Sequence, residues 1–392
     1  MEGKLKIIFY TDTYLPAIDG VVTSIINTKR ELEKRGHSVY VFASGDDRSK
    51  PIKEIGKNVF AVPGIKFRKY PQYRIALFTL PVAMKFNSIK PDIVHLHTPF
   101  TMGLSGLAMA KLNKVPAVAT FHTFFTRRSV LKEYGTSSKI GQKLIAKYSW
   151  PYARFFFNKC DKIIAPSQFT KKVLKRHGIP NTVTVPNSVD IERFKPKNDT
   201  SRLRKELKAK RADRIVLYVG RISKEKSIDV MIKVAELLKD KNLVFVFAGT
   251  GPALHHFQHI VHLKKLQNVR FTGFVSTKQL PKYYAAADIF CTPSTFETQG
   301  ITILEALASG KPVVGANCEV ISEIIKNGKN GEKFEPGNPR SCANKIEKVI
   351  NKIESYKDMS SSVSRYSVQE TTDTLLKVYE EIILSKERVN SG

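Results

Sequence analysis

Ser294-Thr295-Phe296-Glu297-Thr298-Gln299-Gly300-Ile301-Thr302-Ile303-Leu304-Glu305-Ala306-Leu307-Ala308-Ser309-Gly310, followed by Lys311-Pro312-Val313-Val314, sets the architecture of this 392-residue chain. Just before it, Ala287-Asp288-Ile289-Phe290-Cys291-Thr292-Pro293 reads as a strand closed by a turn. Thr298 to Ser309 reads as a helix stopped by Gly310, and Pro312 to Gly315 as the next strand. Together they form a βαβ unit. Glu305 is the single charge in the apolar run Ile301 to Ala308, and burying a carboxylate is costly unless something hydrogen-bonds it. Glu297 stands just before the helix, where Gly300 lets a ligand reach the backbone and the first N–H groups lack helical partners. A polyol or anion across that N-terminus satisfies both acids. A plain surface helix also accounts for them, with Glu297 favoured by the helix dipole and Glu305 turned to water.

Working outward, the same alternation fills the chain. Leu5 to Tyr10 reads as a strand, Val21 to Arg35 as a helix ended by Gly36, and His37 to Ala43 as a second strand. After a variable region come a strand Asp92 to His97, a small-residue helix Gly103 to Leu112 and a strand Ala117 to His122. Cys160 to Pro166, a helix from Gln168 to His177, and Thr182 to Val185 continue it. Residues 187–213, polar and carrying Pro196, read as a linker. Alternation then restarts with strands Ile215 to Val219, Leu243 to Ala248 and Val269 to Thr272, separated by helices Ile228 to Leu238, Leu254 to Leu266 and Leu280 to Ala287. The expected fold is α/β, two facing Rossmann-like doubly wound domains whose ligands bind beyond the carboxyl ends of the strands. From about Ser364 the chain reads as helix to Arg388, long enough to return to the first domain. The expected division is 1–190, 191–365 and a C-terminal helix 366–392.

Composition narrows the class. At 42% hydrophobic and 26% charged the chain is globular, and its length favours two cores over one. No apolar run reaches the length of a membrane span, and the N-terminus enters a strand without a charged lead and apolar core, so a soluble, cytoplasmic chain is expected. Cys160, Cys291, Cys318 and Cys342 are scattered with no CxxC pair, against a zinc module or a disulfide framework. The net charge is +30, and residues 51–188 hold 23 basic against 4 acidic side chains, so most of the excess sits in about a third of the chain. A nucleic acid, an anionic membrane or an anionic substrate is the partner such a face attracts.

Several strand ends carry chemistry. Gly20 opens a helix after a strand, where backbone amides can meet a phosphate. His122 lies at another strand end. His95 and His97 share a strand face, but no third metal ligand follows within reach. His255, His259 and His262 read as an exposed helix face. After Ile215 to Val219 comes Gly220-Arg221-Ile222-Ser223-Lys224-Glu225-Lys226-Ser227, whose Arg221 and Lys226 suit a diphosphate. Gly249-Thr250-Gly251-Pro252 brings backbone close to a ligand, and Gly273-Phe274-Val275-Ser276 can line a base. The last three loops, Gly220 to Ser227, Gly249 to Pro252 and Gly273 to Ser276, fall on one edge of one sheet.

Taken together, the Gly20 loop, Thr120-Phe121-His122-Thr123, Val185-Pro186-Asn187-Ser188-Val189-Asp190 with Phe194, Gly220-Arg221 with Lys226, Gly249-Thr250-Gly251-Pro252 and the pair Glu297 and Glu305 resemble the retaining nucleotide-sugar glycosyltransferases of family four, of GT-B fold. The resemblance implies that Arg221 and Lys226 bind the donor diphosphate and stabilise charge on the leaving nucleotide. It implies that Glu305 accepts from the ribose, that Glu297 and the segment Thr298, Gln299, Gly300 and Ile301 hold the sugar, and that His122 contacts the sugar too. Gly20 would meet the phosphate, Gly249 and Gly251 the donor, and Val275 the base. No convincing nucleophile faces the sugar, so front-face attack is implied; no strand-end DxD motif is present, so neither metal nor cofactor is expected. Glu-Thr-Gln-Gly-Ile-Thr in place of the commoner Phe-Gly after the first acid is similar to the diacylglycerol glucosyltransferase branch, which implies UDP-glucose as donor.

The acceptor side is read from residues 64–90 and 124–159. The first holds Lys66, Arg68, Lys69, Arg74, Lys85 and Lys90 among aromatics with no acid; the second holds Arg127, Arg128, Lys132, Lys139, Lys143, Lys147 and Arg154 beside Phe124, Tyr148, Trp150, Phe155, Phe156 and Phe157, against Glu133 alone. Lys139, Lys143 and Lys147 recur every four residues and line one helix face. Rings and lysines on one surface suit an anionic membrane, with peripheral attachment at the inner face of the cell membrane and a lipid acceptor. Core aromatics with merely solvated lysines are the plainer account. A GDP-mannose or UDP-sugar enzyme with a soluble or phosphoinositol acceptor, a nucleic-acid-binding module and a nucleotide-sugar epimerase are the rivals. The four donor-side residues Arg221, Lys226, Glu297 and Glu305 argue against the nucleic-acid reading.

Overall fold

Runs such as Ile7-Ile8-Phe9-Tyr10 and Val244-Phe245-Val246-Phe247 are apolar on both faces, and strands of this kind belong in parallel sheets covered on both sides. The computed structural model describes residues 3–17, 19–45, 52–67, 70–76, 80–126, 139–195, 200–295 and 297–391. It divides into two units: Met1–Ser188 joined by Val368–Gly392, and Val189–Ser367.

Unit 1 holds β1 (Lys6–Thr11), β2 (Ser38–Gly45), β3 (Lys53–Gly56), β4 (Val59–Phe67), β5 (Tyr70–Ala76), β6 (Ile93–Leu96), β7 (Ala117–Thr120), β8 (Lys162–Ala165) and β9 (Thr182–Thr184). Their order is β3-β4-β2-β1-β6-β7-β8-β9, with β5 paired to β4. The strands from β2 across to β9 are parallel, β4 runs parallel to β2, and β3 and β5 lie antiparallel on β4. The variable region therefore contains strands that weak periodicity hid. The helix Val368–Ser391 belongs to this unit: Leu375, Val378, Tyr379, Ile382 and Ile383, at helical spacing, share its core with Ile7, Phe9, Ile25 and Val39. Arg35 pairs with Asp373, and Lys162 and Lys386 pair with Glu381 and Asp161 at 3.0 and 3.2 Å.

Unit 2 holds β10 (Arg214–Val219), β11 (Leu243–Ala248), β12 (Val269–Gly273), β13 (Ile289–Thr292), β14 (Val313–Ala316) and β15 (Gly331–Phe334), all parallel in the order β12-β11-β10-β13-β14-β15. The expected linker 187–213 is a correction. Asp190 caps the short helix Ile191–Phe194, Phe194 and Leu207 are buried in the core of unit 2, and Arg204 pairs with Asp288 at 3.3 Å. Polar residues in that stretch cover an apolar minority that packs.

Each sheet has a point where the chain reverses its direction of winding, and open α/β sheets bind ligands in the crevice there. In unit 1 it lies between β1 and β6; in unit 2, between β10 and β13. No helix among the described residues is long and apolar enough to cross a membrane.

Candidate active site

In unit 2 the loops after β10 and β13 meet across the reversal point. Lys226, in a short 3-10 turn Lys224–Lys226, donates to Glu297 Oε1 at 2.7 Å, and both side chains remain about a fifth exposed. A half-buried ion pair that water still reaches is worth on the order of 1 kcal/mol, since solvent screens part of the attraction. An incoming anion can therefore take Lys226 from Glu297 at little cost, which suits a binding device better than a brace.

The glycines behind the pair are set by close approach. Ile222 N donates to Thr250 O at 2.9 Å and Gly220 N to Ala248 O at 3.0 Å, so the loops after β10 and β11 interlock. Gly249 has φ +153, and a Cβ there would lie 1.9 Å from the Gly220 carbonyl oxygen; one on Gly251 would lie 2.3 Å from that of Ile222. No larger residue fits either position without moving backbone. Arg221 is half-buried at this junction, its carbonyl accepting from the Tyr218 hydroxyl at 3.0 Å. Burial, with the charges of Glu297 and Glu225, holds Tyr218 well above the ordinary phenol range.

Gly300 adopts φ +90, a left-handed conformation open to glycine, and no side chain caps the helix that begins at Ile301. The helix therefore runs Ile301–Ala308, three residues shorter at its start than the expected span from Thr298. Thr298 is half-buried and Gln299 and Gly300 are buried in the segment leading into it. On the helix, Glu305 is buried and accepts from the Tyr284 hydroxyl at 2.7 Å. Desolvation pushes its carboxyl up to about 7, against the lowering effect of that hydrogen bond and of the Arg193 charge. Tyr284 in turn packs edge-on against Phe194. Val275 lies partly buried against the core after β12.

Unit 1 presents a different chemistry at its strand ends. Asp12, after β1, is buried and accepts from Thr98 Oγ1 at 2.5 Å, Thr101 Oγ1 at 2.7 Å and Met102 N at 2.9 Å, which seats the helix Thr101–Leu112. Desolvation raises its carboxyl from the usual range. His122 and His97 approach within 3.1 Å, Nε2 to Nδ1. Burial pushes His122 down to about 3, so the ring is neutral at physiological pH. His95 does share a face with His97, and both its nitrogens are engaged, Nδ1 with the Tyr379 hydroxyl and Nε2 with that of Thr120, each at 2.6 Å. Gly20 is the first residue of the helix Gly20–Lys34, exposed, with Asp19 accepting from Val22 N at 2.9 Å.

The basic aromatic stretch divides. Lys143 and Lys147 lie exposed on the helix Lys139–Phe157, beside exposed Leu144, Tyr148 and Phe155. Phe124, Phe156 and Phe157 are core, which corrects the expectation that the rings share one surface: positions 155 and 156 of a helix point about 100° apart. Trp150 is half-buried with its ring stacked on His177 at 3.6 Å. Lys66 lies on β4 and Lys139 begins the helix, while Arg68, Lys69, Arg127 and Arg128 fall outside the described residues. Sequence reasoning missed Tyr284 and Tyr218, whose only signal is an aromatic in an apolar element, and the contact of His97 with His122.

Residues 18–193 match the family described as Glycosyltransferase Family 4, and residues 199–365 match Glycosyl transferases group 1. The chain is 32% identical over 346 residues to the alpha-monoglucosyldiacylglycerol synthase of Acholeplasma laidlawii, covering 84% of this chain and 85% of that one. It is 28% identical to the GDP-mannose-dependent alpha-mannosyltransferase of Corynebacterium glutamicum, over 83% of this chain and 76% of that one. Among solved structures, Anabaena HepE in complex with UDP-glucose superposes with a TM-score of 0.74 at 20% identity, covering 96% of this chain and 100% of that one. That likeness is one of fold.

Proposed function

The chain belongs to glycosyltransferase family four, and we propose that it is a retaining, metal-independent hexosyltransferase moving glucose from UDP-glucose to a membrane lipid such as diacylglycerol. The observation that carries the reading is the Lys226–Glu297 pair at the reversal point of unit 2, with the buried Glu305 one helix beyond. In this reading the diphosphate draws Lys226 away from Glu297 and is gripped also by Arg221, whose charges stabilise the leaving nucleotide. Glu297, released, accepts from sugar hydroxyls, and Glu305 from the ribose. The acceptor oxygen bonds to the anomeric carbon as the bond to the diphosphate breaks on the same face, and the acceptor's proton passes to the departing diphosphate oxygen. His122 donates to a substrate hydroxyl.

Support for the lipid comes from the named activity of the A. laidlawii relative and from the exposed Lys143, Leu144, Lys147, Tyr148 and Phe155 on one helix. Such a mixture of cations and apolar groups suits peripheral attachment to an anionic bilayer at the inner face of the cell membrane. A second reading, a GDP-mannose donor with a soluble or phosphoinositol acceptor, is favoured by the mannosyltransferase relative.

The test is nucleotide release from UDP-glucose and from GDP-mannose, each with and without diacylglycerol in anionic vesicles, with Glu297→Ala as control. UDP release that depends on the lipid and is lost in the variant is the expected result. Turnover of GDP-mannose without lipid turns the account to the second reading.

A further inference from the structure

Tyr284 is fully buried on the helix Leu280–Ala286, and its hydroxyl has two acceptors within reach. Glu305 Oε2 lies at 2.7 Å and the Thr302 carbonyl at 3.3 Å, both on the helix Ile301–Ala308. A phenol carries one proton, and burial together with the charge of Glu305 holds Tyr284 well above the ordinary phenol range, so that proton stays. The ring is fixed by Phe194, edge-on at 5.5 Å, and by Phe290 at 5.8 Å.

Two acceptors matter because Glu305 exists in two forms near neutrality. Desolvation carries its carboxyl up to about 7, against the Tyr284 hydrogen bond and the Arg193 charge, which lower it. When Glu305 is ionised, the nearer Oε2 takes the hydroxyl proton in a charge-assisted bond. When Glu305 is protonated on Oε2, its O–H donates to the phenol oxygen, and the phenol proton needs another acceptor. The Thr302 carbonyl supplies it, so neither form leaves a buried O–H orphaned. On the segments packed against this helix, Arg193 donates to the Thr277 carbonyl and acts on Glu305 through its charge, while Glu192 pairs with Lys195. Arg365 is held by the Tyr366 hydroxyl at 2.6 Å, Lys311 by the Ala285 carbonyl at 2.9 Å, and Cys291 faces Cys342.

We propose that Tyr284 is a positioning residue that sets the charge of Glu305: its hydroxyl donates to Oε2 of the carboxylate and turns to the Thr302 carbonyl when the carboxyl is protonated. With Oε2 so occupied, Oε1 is the oxygen that a ribose hydroxyl meets, and a nucleotide binding below pH 7 displaces the Glu305 proton to solvent. That last step rests on the reading of Glu305 as the ribose contact.

Carbon-13 spectra of the full chain labelled at the glutamate carboxyl, titrated from pH 5 to 9.5 without nucleotide and assigned with Glu305→Gln, read the carboxyl directly. Glu305 is expected to titrate near 7 in the wild type and about one pH unit higher in Tyr284→Phe, which keeps the ring and its packing. Equal midpoints make Tyr284 a packing residue and overturn the proposal. In the wild type labelled at tyrosine Cζ, one phenol resonance is expected to move with the Glu305 midpoint; none doing so contradicts the switch. UDP titrations supply a further readout. With affinity following the ionised fraction, Tyr284→Phe weakens it about tenfold at pH 6, about fivefold at pH 7 and less than about twofold at pH 9. A loss of one size at every pH also overturns the proposal, because packing damage does not titrate. Failure of UDP to bind the wild type defeats the donor-site reading instead, and the carboxyl midpoints still decide the role of Tyr284.

Discussion

The two reversal points use opposite electrostatics. That of unit 2 is spanned by a half-buried ion pair, Lys226 with Glu297, which an anion reaching the loops can exchange. Around that of unit 1 lie more deeply covered groups, the buried ring of His97, the half-buried neutral ring of His122 and a buried Asp12 already saturated by Thr98, Thr101 and Met102. The difference teaches that one β/α frame can offer charge at one strand end and oriented neutral dipoles at another, according to how deeply the loop residues sit.

The comparison breaks most sharply at the ion pair. Lys226→Ala is expected to lower kcat/KM for the nucleotide-sugar by about 10³-fold, the scale of one preorganised charge lost at a leaving group, with melting lowered only slightly because the half-buried pair is still reached by water. Steady-state kinetics beside calorimetry check both halves. Gly249→Ala comes next, at about 2–4 kcal/mol of stability, because its Cβ would meet the Gly220 carbonyl at 1.9 Å in a backbone that glycine tolerates. Denaturant unfolding reads that loss.

A pH experiment sharpens the contrast. Glu305 keeps its proton up to about 7 in the folded protein, above the ordinary value of 4.5, so its contribution to stability is greatest at low pH and falls as pH rises toward 7. Ribose hydroxyls donating to the ionised carboxylate favour the charged form. Nucleotide affinity is thus expected to rise with pH by up to about tenfold per unit below 7 and to level off above it. Glu305→Gln removes the slope. His122, titrating at about 3, contributes no step between pH 5 and 8. Calorimetric titrations from pH 5.5 to 8 measure it, and a slope surviving in Glu305→Gln assigns the proton elsewhere. The smallest effect is at the surface: Lys147→Ala is expected to weaken binding to anionic vesicles about fivefold, near 1 kcal/mol per lysine, without altering UDP affinity. Cosedimentation and titration separate the two.

The same contrast explains what was legible in sequence. Glu305 stood out because a carboxylate inside an apolar helix is costly, and the structure supplies the hydrogen bond that offsets it. The parallel sheets followed from uninterrupted apolar strands between punctuated loops. Tyr284 gave no such signal: a buried tyrosine in an apolar helix looks like packing until its hydroxyl is seen against Glu305. Phe194 and Leu207 were hidden in a polar stretch, so the segment read as linker although it packs into unit 2. The rings of 124–159 could not be sorted by composition, since Phe155 and Phe156 differ only in the helix face they occupy.

The most direct test of the donor site is a calorimetric titration of UDP-glucose into the wild-type chain and into Lys226→Ala. One site per chain is expected in the wild type, weakened more than tenfold in the variant. Equal affinity in the two proteins, or no heat of binding in either, would contradict it.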